Sequence, residues 1–114
     1  MSQGHHEESH RLFEKVLRRW PRAKMALIGK GLCELYLCRY SEALESYDKI
    51  LVIDPDNLQG LLGKGMSYEN LGRLDDAITC FERIQKLKPN VLQADERIAR
   101  IRRLKAGGQS GDQQ

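Results

Sequence analysis

The chain has 114 residues, a length that fits one domain with a thin hydrophobic core. Hydrophobic residues make up 40% and charged residues 31%, and the formal net charge is +3, which is ordinary for a water-soluble protein. No apolar run approaches the roughly 18 residues that a membrane-spanning helix needs, and the N-terminus lacks a signal-peptide pattern. We therefore expect a cytoplasmic protein with no membrane insertion.

The first two predicted elements are helices separated by a proline. A disordered segment is expected over residues 1–8, followed by a helix from about residue 9. Trp20-Pro21 ends that helix, because the residue before a proline avoids the helical region. A second helix is predicted over about 23–37. The apolar face of the first helix consists of Leu12, Phe13, Val16 and Leu17.

The next helices are bounded by recognisable caps and turns. Ser41 is the expected N-cap of a third helix, and Asp54-Pro55 begins a turn in which Asn57 can cap a fourth. Gly72 suits the left-handed position that closes the fourth helix, and Asp75 or Asp76 starts the fifth.

The C-terminal part is predicted to hold one more helix, over about 91–105, and then a disordered tail over 106–114. No strand pattern is present. The sequence therefore predicts six helices, with consecutive helices packed antiparallel.

Two stretches of the chain repeat each other at a fixed distance. The three prolines, Pro21, Pro55 and Pro89, are equally spaced, and we call the distance from one proline to the next the repeat interval. A fixed interval of this length predicts a stacked repeat protein. The other matching positions are Gly31, Ala43, Tyr47 and Ile50, which recur one repeat interval later as Gly65, Ala77, Phe81 and Ile84.

With these residues, segments 24–57 and 58–91 resemble two tetratricopeptide repeats, each made of a helix A and a helix B. Residues 9–22 resemble the second half of a preceding repeat, and 92–105 a capping helix. The resemblance implies an all-α, right-handed superhelix of antiparallel helix pairs. It also implies a non-catalytic protein-interaction module or adaptor. Lys30, Lys64 and Glu34 depart from the family pattern, which usually has leucine or an aromatic residue there.

In this family the A helices line a concave groove, which a peptide or helix of a partner protein can occupy. Gly29 and Gly63 are expected to keep the floor of the groove low. The alternative for the apolar members is that they pack in the core. The predicted partner-binding residues are Met25, Ile28, Leu32, Tyr36, Leu62, Met66, Asn70, Arg97 and Arg100.

Some relatives grip the acidic C-terminus of heat-shock chaperones with lysine, asparagine and arginine side chains. At the asparagine places this chain has Leu32 and Gly63, and only Arg97 stands where a clamp base belongs. The resemblance therefore disfavours a chaperone tail and favours an apolar or amphipathic segment.

The N-terminal edge is a second candidate surface, because the first helix has no A helix before it. Either the chain is a piece of a longer array, or two copies cover the edge together, and a head-to-tail contact could extend the superhelix. The alternative function is thus a self-associating assembly element. The edge residues are Leu12, Phe13, Val16, Leu17 and Trp20.

We expect no enzyme activity, no cofactor, no metal and no nucleic-acid partner. The histidines lie at the N-terminal end, and we interpret them as part of an irregular end; His6 and His10 could share a metal only if the helix began early. Gly29-Lys30-Gly31 and its repeat copy fall within helices and do not match a phosphate-binding loop. Cys33 and Cys80 are expected to be buried as small apolar residues.

Overall fold

The computed structural model describes residues 2–89 and 93–112, and within these the chain is all-helical, with six helices and no strand. Each helix packs against the next, and α2 also lies beside α4. None of these helices is long and apolar enough to cross a membrane. The helices are α1 (Ser2–Arg19), α2 (Lys24–Tyr36), α3 (Tyr40–Ile53), α4 (Leu58–Asn70), α5 (Leu74–Leu87) and α6 (Ala94–Asp112).

An aromatic ring on each B helix packs against glycines of the flanking A helices. A Cβ added at Gly31 would lie 2.8 Å from the Tyr47 ring, and one added at Gly63 would be closer still. Tyr47 therefore fills the space left by a glycine of its own repeat and a glycine of the next. Phe81 occupies the same place against Gly65, one repeat later.

These rings correct the prediction that Gly29 and Gly63 form a low groove floor. The ring of Phe13 covers Gly29, and the ring of Tyr47 covers Gly63, so neither position has room for even one added carbon atom. The glycines allow close helix packing, and a ligand backbone does not reach them.

The core divides into two clusters that follow the two repeats. Burying each large side chain contributes about 1.5–3 kcal/mol. The first cluster consists of Leu27, Ala43, Tyr47 and Ile50. In the second, α6 adds three residues to those of α4 and α5: Leu61, Ala77, Phe81, Ile84, Ala94, Ile98 and Ile101.

The turns follow the predicted chemistry in part. Asn57 caps α4, because its side-chain oxygen accepts a hydrogen bond of 2.8 Å from the Gly60 amide. Gly72 follows α4 with a positive φ of 79°, as predicted. The prediction for Ser41 is wrong: Arg39 is the N-cap, so Ser41 lies in the first turn of α3.

Both ends of the chain contain more helix than the sequence predicted. α1 begins at Ser2, where residues 1–8 were expected to be irregular, because its N-terminal half is held by contacts to α2. α6 continues through Asp112, beyond the predicted end at 105, since a helix satisfies its backbone hydrogen bonds internally. The predicted helix residues Val91 and Leu92 lie outside the described residues.

Candidate functional site

An apolar pocket opens between α2, the start of α3 and α4. Its volume is about 280 Å³. Leu32 is 44% exposed and Tyr36 64% exposed, although both are large hydrophobic side chains. Such side chains grouped around a concavity are typical of binding surfaces. The lining residues are Leu32, Leu35, Tyr36, Tyr40, Met66 and Asn70.

A second pocket continues the first along the same side of the molecule. It has a volume of about 270 Å³ and shares Met66 and Asn70 with the first, so the two form one trough across α2, α4 and α6. We call these two adjoining pockets the trough. The second pocket is lined by Met66, Glu69, Asn70, Leu74, Arg97, Arg100 and Leu104.

The lining of the trough repeats with the period of the sequence. Leu32, Met66 and Arg100 are separated by one repeat interval each and line successive positions. The same spacing relates Tyr40 to Leu74, the first residues of α3 and α5. Each repeat therefore supplies an equivalent segment of wall, and the chemistry changes from aromatic at the first segment to charged at the last.

The structure brings together six of the nine predicted partner-binding residues. Met25 is exposed but lines neither pocket. Ile28 and Leu62 are partly buried and pack against the first and second core cluster, respectively. For these two, the alternative of core packing is the better description. The six trough residues are Leu32, Tyr36, Met66, Asn70, Arg97 and Arg100.

The arginines at the charged end have partners within the chain. Arg100 forms an ion pair of 2.6 Å with Glu69, whose side chain is mostly buried. Arg97 stands one repeat interval after Gly63, and its guanidinium carbon lies 5.8 Å from the centre of the Phe81 ring. Much of the positive charge expected at this end is therefore already balanced or turned inward.

Sequence reasoning missed the wall residues Tyr40, Leu74 and Leu104. Tyr40 directly precedes Ser41, the predicted N-cap, and Leu104 lies within the predicted last helix, but neither was assigned to the groove. The repeat interval between Tyr40 and Leu74 was the available signal, since equivalent positions in a solenoid face the same way.

The N-terminal histidines do not belong to an irregular end. The His6 ring stacks on Tyr36 of the trough, with ring centroids 4.4 Å apart. His10 is buried and lies 2.7 Å from Glu34. Glu7, between them, pairs with Arg39 at 2.7 Å. α1 does begin early, but His6 and His10 face different partners.

A buried polar cluster lies between α1, α2 and α3, and its centre is the Glu34 carboxylate, which is 0% exposed. Lys30 Nζ and His10 Nε2 each lie 2.7 Å from Glu34 Oε2. The Ser46 hydroxyl donates to the other carboxylate oxygen, also at 2.7 Å. The resemblance marked Glu34 as a departure, but no sequence pattern connected it with His10.

The ionisation of this cluster favours a charged glutamate. Burial raises the pKa of Glu34, but the hydrogen bonds from Lys30, His10 and Ser46 outweigh burial, so its pKa lies below the ordinary value. His10, Glu34 and Glu42 also bring possible metal-ligand atoms within 4.8 Å of one another. Because the Lys30 ammonium already supplies a positive charge to Glu34, we assign the cluster a structural role.

Two predicted cysteine positions are confirmed. Cys33 and Cys80 are both buried. Burial raises the pKa of the Cys80 thiol to about 11, which keeps it in the unreactive thiol form.

The predicted N-terminal edge is exposed in part. Leu12 is 60% exposed and Trp20 59% exposed, and Val16 is also open. Phe13 and Leu17 are half-buried instead, because Phe13 packs on Gly29 and Leu17 packs on the first core cluster.

Two family profiles, both described as tetratricopeptide repeat, match residues 1–58 and residues 39–106. The chain belongs to the tetratricopeptide repeat family. The family and the all-helical solenoid fold that the sequence predicted are confirmed. No curated protein sequence matches the chain.

Solved structures of other repeat domains share the fold at low sequence identity. The first repeat domain of Spaghetti (RPAP3) bound to the HSP90 peptide SRMEEVD is 18% identical, with a TM-score of 0.86, covering 92% of this chain and 83% of that one. The first such domain of human RPAP3 is 17% identical, with a TM-score of 0.87 and coverage of 96% and 86%. The Yersinia enterocolitica secretion chaperone SycD, in complex with a YopD translocator peptide, is 19% identical, with a TM-score of 0.81 and coverage of 91% and 85%.

Proposed function

We propose that this protein is a non-catalytic interaction module that binds a segment of a partner protein in the trough. The observation that carries the proposal is the continuous pair of pockets, in which exposed apolar and aromatic side chains surround Met66. Two of the similar structures contain a bound peptide, one from HSP90 and one from YopD. That likeness supports a peptide or helix as the ligand.

The side chains of the trough favour an apolar anchor over an acidic one. Leu32, Tyr36 and Met66 offer contact area, and methionine adapts to ligands of different shape. Arg100 is paired with Glu69, and Arg97 lies against Phe81, so these bases are poorly placed to hold a carboxylate. A ligand should therefore place one large apolar residue between Leu32 and Met66, with polar contact at Asn70.

A selection experiment tests this proposal while the partner is still unidentified. Random peptides displayed on phage are panned on the immobilised protein, and the enriched sequences are synthesised and titrated by calorimetry. We expect peptides with a large apolar residue, and we expect them to bind about tenfold more tightly than the acidic peptide SRMEEVD, or better.

Variants connect the binding to the trough. Leu32→Asp places a charge in the first pocket and should weaken the selected peptides about tenfold or more. Val52→Asp is the matched control, since Val52 is 80% exposed on α3 and lines neither pocket. Equal loss in both variants, or no loss in either, would overturn the assignment of the trough.

A further inference from the structure

The open face of α1 carries an apolar row with no cover in the described structure. Leu12 and Val16 are four residues apart on one side of α1. Trp20 comes directly after the last residue of α1, and its amide donates to the Val16 carbonyl oxygen at 2.8 Å, so it continues the same side. Ile50 and Ile84, which stand one and two repeat intervals after Val16, are both 0% exposed. In α3 and α5 this face is therefore packed against the preceding A helix, and in α1 it is available.

The other end of the molecule does not match this face. A head-to-tail contact would place α6 of one copy before α1 of the next, in the position of a helix A. Asp95 stands one repeat interval after the buried Leu61, and Arg102 stands one repeat interval after Tyr68. Both of these charged residues are exposed. Asp95 accepts a hydrogen bond from Gln85, and Arg102 pairs with Glu82 at 3.2 Å. Pressing these charged side chains against the apolar row of α1 would remove them from water without new polar partners, at a large cost in free energy.

The charges beside the row match a second α1 in the opposite direction. At 100° per residue, Glu8, Lys15 and Arg19 lie along the same edge of the row, with the acid toward the N-terminus and the bases toward the C-terminus. In an antiparallel pair related by a two-fold axis, this edge meets its own copy, so the acid of each helix faces the bases of the other. In a parallel pair, this edge would instead meet the opposite edge of the row, where Phe13 and Leu17 lie, and the charges would have no partner across the contact.

We propose that two copies of this chain associate through an antiparallel, two-fold contact between their α1 helices. Glu8 of each copy pairs with Lys15 and Arg19 of the other copy, which places the two-fold axis near Leu12. Leu12 and Val16 then form the apolar centre of the contact, and Trp20 lies at each end of it, against the first turns of the other α1. The trough lies on α2, α4 and α6 and stays open in both copies. The dimer therefore presents two troughs and can bind a partner with two matching segments more tightly than one trough would.

The mass of the protein in solution gives the first test. Sedimentation velocity and light scattering are measured on the full chain from micromolar to near-millimolar concentration. We expect the mass to rise from 13.1 kDa to that of two chains and to stop there. A monomer at every concentration overturns the proposal, and so does a mass that keeps growing, which is the signature of head-to-tail stacking.

A charge exchange tests the antiparallel arrangement itself. Glu8→Arg alone and Arg19→Glu alone should each weaken the dimer about tenfold, because like charges then meet across the two-fold axis. An equal mixture of these two variants should restore association to within about twofold of the wild type, since each copy complements the other. No recovery in the mixture would overturn the arrangement.

Two further variants separate a lost contact from a lost fold. Leu12→Asp should leave a monomer, and its circular dichroism should match the wild type because Leu12 is a surface residue. Glu45→Arg changes the same charge at an exposed position of α3 and should leave the dimer unchanged. If Leu12→Asp still forms dimers, another surface is responsible and the proposal fails.

Discussion

The two repeats differ in their interiors. The interior of the first repeat, between α2 and α3, is polar, whereas the corresponding interior of the second repeat, between α4 and α5, is not. Glu34 and Ser46 of the first repeat correspond, one repeat interval later, to Tyr68 and Cys80 of the second. Lys64 retains the place of Lys30, but it pairs with Asp48 at 2.8 Å instead of with a buried glutamate. The same helix pair thus accepts either interior, provided that every buried polar group has a partner.

The polar interior of the first repeat also joins α1 to that repeat. The polar interior of the first repeat needs a donor from outside the repeat, and His10 of α1 supplies it. The equivalent position of α3, one repeat interval after His10, is Leu44, which has no hydrogen-bonding side chain. The N-terminal helix is therefore joined to the first repeat by polar contacts as well as by packing.

Removing the central carboxylate should produce the largest effect. Glu34→Ala leaves Lys30 and His10 without their buried acceptor, and we expect the free energy of unfolding to fall by about 3–5 kcal/mol. Urea denaturation followed by circular dichroism measures the loss. Glu45→Ala, at an exposed position, is the control. A loss below about 1 kcal/mol for Glu34→Ala would mean that the cluster contributes little.

Replacing the polar interior of the first repeat with the side chains of the second repeat tests whether the two interiors are interchangeable. The triple variant His10→Leu, Glu34→Tyr, Ser46→Cys reproduces Leu44, Tyr68 and Cys80, and should recover most of the stability lost in Glu34→Ala. A triple variant no more stable than the single one would show that the two repeats are not interchangeable.

The wild type and the triple variant should also differ in pH dependence. The pKa of Glu34 is lowered in the folded protein, so the ionised carboxylate stabilises the fold. This stabilisation is complete above the ordinary carboxyl pKa and is lost as the pH falls through the lowered pKa. Acid should therefore destabilise the wild type more than the triple variant. Urea titrations at several acidic pH values measure this, and equal acid sensitivity would contradict it.

The packing of aromatic rings on glycines should give the next largest effect. Gly63→Ala adds a carbon atom against the Tyr47 ring, and overpacking of this kind costs about 1–3 kcal/mol. Gly4→Ala is the matched control, because an added carbon at Gly4 has no neighbour within 4 Å, and alanine should strengthen α1 slightly. A Gly63→Ala variant as stable as the control would contradict the packing described here.

The turns after the A helices differ between the repeats in a way that predicts a smaller effect. Cys38 and Gly72 are one repeat interval apart, and both have a positive φ, of 60° and 79°. A side chain in this conformation costs about 1 kcal/mol relative to glycine. Cys38→Gly should therefore raise the melting temperature, and Gly72→Ala should lower it. Changes of the same sign in both variants would rule out this explanation.

The N-caps of the A helices predict the smallest effect. Ala23 and Asn57 are equivalent, with similar extended backbones, but only Asn57 provides a capping side chain. Ala23→Asn should stabilise the protein by about 0.5–1 kcal/mol, and Asn57→Ala should remove a similar amount. Thermal unfolding of the two variants measures both, and a destabilised Ala23→Asn would contradict the equivalence.

Much of the fold could be predicted because the repeated residues determine where the backbone turns and where two helices approach each other. Gly31, Ala43 and Pro55 with their repeat copies determine where helices approach and turn, and these requirements are local or repeat at a fixed distance. The Asn57 cap and the Gly72 turn follow from the chemistry of single residues.

The N-terminal helix, the roles of two glycines and the charge pairing in the trough could not be predicted. They depend on contacts between distant residues that have no counterpart in the other repeat. Residues 2–8 have no apolar periodicity, so their helix could not be inferred without Tyr36 and Arg39, which contact it. The roles of Gly29 and Gly63 were misjudged, because the sequence does not say which ring faces a glycine. For the trough, the period located Leu32 and Met66, but the pairing of Arg100 with Glu69 required the structure.

Amide chemical-shift mapping can locate a bound partner segment on the protein and so tests whether it lies in the trough. The ¹⁵N-labelled protein is titrated with a peptide selected on the wild type. We expect the largest shifts at Leu32, Tyr36, Met66 and Asn70, with little change at Val52. Large shifts on the outer face of α3 or on α1, with the four trough residues unmoved, would contradict it.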